Sequence, residues 1–112
     1  MFVVEKNSKK ITLTRGDNAE LFVSLSDETG APYELQTGDI LTFSMKRKIA
    51  DDELVLEKEI TSGNVFVFVP SDTANLSFGK YLYDIQLNTA GGEVYTVIPP
   101  SNFVVGEEIT EK

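Results

Sequence analysis

A chain of 112 residues is long enough for one domain around a single core and too short for two. Hydrophobic residues at 41% and charged residues at 25% exclude a disordered chain. A net charge of −8 argues against nucleic acid and anionic membranes as partners, and the absence of Cys and His removes disulfides, the usual zinc sites and both Ser-His-Asp and Cys-His catalysis.

The first residues, Met1 to Lys6, lack the apolar run of a signal peptide, and no segment reaches the length of a membrane span. A chain made and kept in a cytoplasm, or a piece of something larger, is the expectation. Residues 1–9 and 107–112 are expected to be short flexible ends.

Strand signals then dominate. Lys10 to Thr14 puts Ile11 and Leu13 on one face, and Arg15-Gly16-Asp17-Asn18 supplies turn residues. Ala19 to Ser26 alternates, with Leu21, Val23 and Leu25 as core candidates. After a loop at Asp27 to Pro32 and a turn at Thr37-Gly38-Asp39, Ile40 to Lys48 places Leu41, Phe43 and Met45 together. Leu54 to Ile60 reads as an edge strand, because Glu57, Lys58 and Glu59 crowd charge onto it. Val65 to Val69 is apolar at every position, which predicts burial on both faces or cover by a partner.

Ser71 to Ser77 is the one place for a helical turn, with Ser71 as its cap and Leu76 as its anchor. Gly79 opens the longest run, where Tyr81, Tyr83, Ile85 and Leu87 alternate with polar residues. Ala90-Gly91-Gly92 predicts a hairpin to Glu93 to Ile98. Pro99-Pro100 is expected to break the ladder before a last short strand, Ser101 to Val105.

Seven or eight mostly antiparallel strands with one short helical turn predict an all-β, immunoglobulin-like sandwich spanning residues 1–112, with a small barrel as the runner-up. A helical turn, a glycine and a Tyr-rich strand in that order match the corner of such domains where a Tyr hydroxyl ties to the backbone. Without a Cys pair or a Trp, antibody-type packing is excluded.

Motifs that could carry chemistry have simpler readings. Asp72 and Asp84 could do glycosidase work only in a cleft that held them together. Asp51-Asp52-Glu53 is read as a solvated turn rather than a calcium site, and Arg15-Gly16-Asp17 as a tight turn rather than an adhesion motif. Asn75-Leu76-Ser77 matches the glycosylation pattern by chance. No catalytic, cofactor or metal residues are assigned, and no enzyme is expected. Core packing is the expected use of most aromatic rings; Tyr33, Phe66, Phe68, Phe78 and Tyr95 form the candidate interaction surface.

Five segments together carry a resemblance: Ile11 to Asp17, Val23 to Tyr33, Gly38 to Lys46, Gly79 to Leu87, and Tyr95 to Ile98 leading to Phe103 to Glu108. Their order and spacing, over about residues 10 to 110, resemble the immunoglobulin-like N-terminal domain of tailed-phage baseplate upper proteins and related small prophage-encoded proteins. The resemblance implies a non-catalytic virion structural module of tail or baseplate, assembled in the bacterial cytoplasm. Its implied partners are other phage structural proteins or further copies of itself. The alternatives are a carbohydrate-binding module, for which exposed aromatics on one face would be the mark, and an adhesion domain of a bacterial surface protein.

Overall fold

The computed structural model describes residues 2–4 and 10–109. Nine strands and one helical turn follow in chain order: β1 (Phe2–Val4), β2 (Ile11–Thr14), β3 (Ala19–Phe22), β4 (Leu25–Asp27), β5 (Ile40–Lys46), β6 (Leu56–Ile60), β7 (Val65–Phe68), α1 (Pro70–Thr73), β8 (Gly79–Asn88) and β9 (Val94–Gly106). One layer is a five-stranded sheet in the order β2-β9-β8-β5-β6, in which only β2 runs parallel to its neighbour. The facing layer consists of two antiparallel pairs, β1 with β4 and β3 with β7.

Those pairs share one interrupted strand. The run predicted from Ala19 to Ser26 breaks at Val23-Ser24, yet Val23 and Leu25 stay buried and Leu21 partly so, as one extended chain requires. Phe2–Val4 forms a strand inside the stretch read as a flexible end; the rest of that stretch, and residues 110–112, lie outside the described residues.

Alternation on the long strands builds the core. Leu41, Phe43 and Met45 of β5 and Tyr81, Tyr83, Ile85 and Leu87 of β8 are all buried on the inner face. Phe66 and Phe68 meet them from β7, and Phe103 from β9. Phe43 is the hub: its ring centroid lies 5.2 Å from Phe68, 5.3 Å from Tyr83, 5.9 Å from Phe66 and 6.0 Å from Phe103. Stacked on Tyr83 and tilted or edge-on to the three phenylalanines, rings at these separations add to the area they bury.

The hairpin after β8 forms as predicted, closed by the Thr89 amide donating to the Glu93 carbonyl at 2.9 Å. Pro99-Pro100 does not end the strand. β9 runs through them, with register shifts between Tyr83 and Ile85 and between Ile85 and Gln86. At the first bulge the two prolines stand opposite Asp84, and β2 reaches only Phe103, so neither missing N–H is needed by a neighbour. The second bulge turns the consecutive Val97 and Ile98 both inward.

The helical turn begins at Pro70, one residue before the predicted start, and Ser71 is exposed rather than capping. Asp72 accepts from the Val69 amide at 2.8 Å instead. Buried Thr73 accepts from the Gly16 amide at 2.8 Å, tying α1 to the β2–β3 turn. The Tyr81 hydroxyl then donates to the Ser77 carbonyl at 2.8 Å, the tyrosine corner anticipated from the sequence. Two facing layers, with β1 in one and β2 in the other, make the domain an all-β sandwich.

Candidate functional site

Of the five aromatic residues nominated as an interaction surface, Phe66 and Phe68 are core residues and cannot serve as one in the folded chain. The uniformly apolar run does not have two buried faces. β7 buries its Phe side chains against Phe43 and turns Val67 and Val69 outward, 50% and 39% exposed. Period-two geometry separates the two sets, and apolar character alone could not say which lay inside.

Tyr33 and Tyr95 line one end of the sandwich with Asp27, Glu28 and Glu93. The Tyr33 hydroxyl donates to buried Asp39 at 2.5 Å, and Asp39 also accepts from the Gln36 and Ala90 amides. Burial pushes the Asp39 carboxyl up, but those three donors outweigh it and hold the group below its ordinary value. The hydrogen bond to this carboxylate, with burial, pushes the Tyr33 phenol up to about 12. Tyr95 donates to Glu93 at 2.8 Å, which raises its phenol as well. These contacts lock the β8–β9 hairpin to the segment before β5.

Phe78 lies apart from both. The Arg15 guanidinium sits 4.3 Å over its ring and bonds Glu108 at 2.9 Å, so the Arg-Gly-Asp turn spends its arginine within the fold. Asn64 is a second lock, unmarked in the sequence beyond its place in a turn. Held at φ 51, it receives the Leu35 amide on its side-chain oxygen at 3.2 Å and donates to the Tyr33 carbonyl at 3.0 Å.

The most exposed ring among the described residues is one that pattern reading passed over: Phe22, 72% exposed. It is out of phase with Leu21 and Val23, and that phase is the signal that it faces out. Phe22 pairs with Val65 and Glu20 with Val67, so Phe22, Val67 and Val69 form an apolar strip on the outer face of the β3–β7 pair. β6, the edge of the other sheet, carries Glu57, Lys58 and Glu59 as expected, whereas β7 carries no charge.

A second surface lies on the outer face of the five-stranded sheet. Thr42, Ser44 and Lys46 of β5 and Asp84 and Gln86 of β8 floor a groove of about 220 Å³. Ile49, Leu54 and Pro100 form its rim. Burial raises the Asp84 carboxyl, and Lys46 partly offsets this.

Asp84 and Asp72 do not meet. Asp72 bonds Lys58 at 2.9 Å, and Lys58 pairs with inward-facing Phe43, whereas Asp84 pairs with Ser44 on the outer face, so the sheet separates the two carboxylates. Asp51 closes its own turn by accepting from the Lys48 amide at 3.1 Å. Among the described residues no group of three or more His, Cys, Asp or Glu side chains is placed to hold a metal, and no helix is long and apolar enough to cross a membrane. Compared with known protein families the chain matches none, and it finds no match among curated proteins.

Proposed function

We propose that this domain is a non-catalytic assembly module that docks through the outer face of the β3–β7 pair. The observation that carries the reading is the exposed apolar strip of Phe22, Val67 and Val69, which has a single charged neighbour on its face, Glu20 opposite Val67, in a protein of net charge −8. Covering these side chains is worth about 3–5 kcal/mol at full burial. After the entropy of association that leaves a weak pairwise contact, which suits a repeated array where many copies dock at once. The resemblance of the strand and turn segments to phage baseplate domains supports a virion tail or baseplate component, with other virion proteins or further copies as partners.

Size-exclusion light scattering across a wide concentration range tests the face. The wild-type mass should rise with concentration, and Phe22→Ser with Val67→Ser should abolish the rise. Mass spectrometry of purified phage particles tests the setting. A monomer at every concentration, together with absence of the chain from particles, would remove the reading.

A further inference from the structure

The groove on the five-stranded sheet is independent of the apolar strip and lies in the other layer of the sandwich. Its floor is a grid of side chains. Thr42, Ser44 and Lys46 alternate along β5, about 6.8 Å apart, and Asp84 and Gln86 stand on the neighbouring strand about 4.8 Å across.

Among the described residues, no hydrogen bond or ion pair engages any of these five side chains; only the attraction between Lys46 and Asp84 links them. Asp84 is half-buried, and the residues opposite it on β9 are Pro99 and Pro100, which have no N–H to offer. The result is a partly desolvated carboxylate with unused acceptor capacity, beside two hydroxyls, an amide and an ammonium.

Complementarity narrows the occupant. Asp84 repels an anion, Lys46 repels a cation, and a floor that is polar except for Leu82, beside Lys46, penalises a wholly apolar ligand. An extended peptide adding to the sheet needs a free backbone edge, but β5 and β8 spend their facing donors and acceptors on each other. A neutral polyol meets the floor with donors and acceptors of its own and sets its C–H faces against Ile49, Leu54 and Pro100. The volume of about 220 Å³ falls below the 300 Å³ where drug-sized sites begin, so it holds a single ring or the end of a chain.

We propose that this groove is a saccharide-binding site for one neutral sugar ring, held by hydrogen bonds with Thr42, Ser44, Lys46 and Gln86 and by sugar hydroxyls donating to Asp84. It lacks the exposed aromatic platform expected of a carbohydrate-binding module; aliphatic side chains and a proline supply the apolar wall. The site goes beyond the assembly reading and does not depend on it.

The test is an amide-resolved NMR titration of the whole chain with D-galactose, L-rhamnose and N-acetyl-D-glucosamine. With few hydrogen bonds and a small apolar wall, the dissociation constant should be on the order of 1 mM, so titration to about 100 mM reaches saturation. At least one sugar should give saturable shifts confined to residues 42–46 and 82–86. Asp84→Asn and Gln86→Ala should each weaken binding tenfold or more, while Phe22→Ser leaves it unchanged. Both substituted positions face outward, and the same spectra report whether the variants are folded. No saturable shift with any of the three sugars, shifts elsewhere, shifts unaltered in both groove variants, or an equal response to inorganic phosphate or a capped tetra-alanine peptide would each overturn the proposal.

Discussion

Asn64 is the residue whose replacement tests the packing logic most sharply. It sits in the β6–β7 turn with a left-handed φ of 51. Its amide group ties this turn to the distant segment 33–35, through the Leu35 amide at 3.2 Å and the Tyr33 carbonyl at 3.0 Å. Its own carbonyl receives the Val23 amide at 2.9 Å, a bond that any substitution retains.

Alanine at this position loses the bonds to Leu35 and Tyr33, at about 1 kcal/mol each, and a long, weak donation to the Val23 carbonyl at 3.5 Å that adds little. It also puts a Cβ into the left-handed region, for about 1 kcal/mol more. Glycine loses the same bonds without that strain. The expected destabilisation is thus about 3 kcal/mol for Asn64→Ala and about 2 kcal/mol for Asn64→Gly. At a urea m-value of about 1.5 kcal/mol/M, the unfolding midpoints fall by about 2 M and about 1.3 M. Hydrogen exchange at the Leu35 amide should quicken in both variants. Equal midpoints would refute the argument from φ, and losses below about 0.5 kcal/mol would show that water replaces the side chain without penalty.

Gly38 has φ +92, and a Cβ added there would lie 2.6 Å from the Ala90 Cβ. Gly38→Ala should cost about 2–4 kcal/mol in urea unfolding, and adding Ala90→Gly should recover the packing share but not the backbone share. Burial pushes the Tyr83 phenol up to about 12, as the Asp39 hydrogen bond does for Tyr33, from an ordinary value of 10.0. The unfolded chain therefore loses these protons first, so their stabilising contribution is whole below pH 10 and fades as pH rises toward 12. Phenolate absorbance followed with circular dichroism should show both groups ionising late and together with unfolding. Ionisation of both near pH 10 in an intact fold, assigned with Tyr33→Phe and Tyr83→Phe, would contradict the burial argument.

The sequence by itself determined the class of the fold, because period-two alternation on β5 and β8 names the buried face directly: Leu41, Phe43 and Met45, with Tyr81, Tyr83, Ile85 and Leu87, are buried as read. The corner at Tyr81 was legible for a similar reason, since a turn, a glycine and a tyrosine at that spacing have a local mechanical use. Charge on β6 marked an edge. These signals are local, and local geometry suffices to interpret them.

Only the tertiary structure decided the rest. The side of β7 that faced the core depended on the layer opposite, so Phe66 and Phe68 went inside and Val67 stayed out. The prolines at 99 and 100 survived within a strand because β2 stops short of them and a bulge absorbs the extra residue. The roles of Asp39 and Asn64 rest on partners as far away as Ala90 and Leu35. The groove beside Asp84 exists because side chains from β5, β8 and the bulged β9 converge across a sheet. No window of the sequence contains these neighbours, because hydrogen bonds and surfaces between distant segments form only when the whole chain closes on its core.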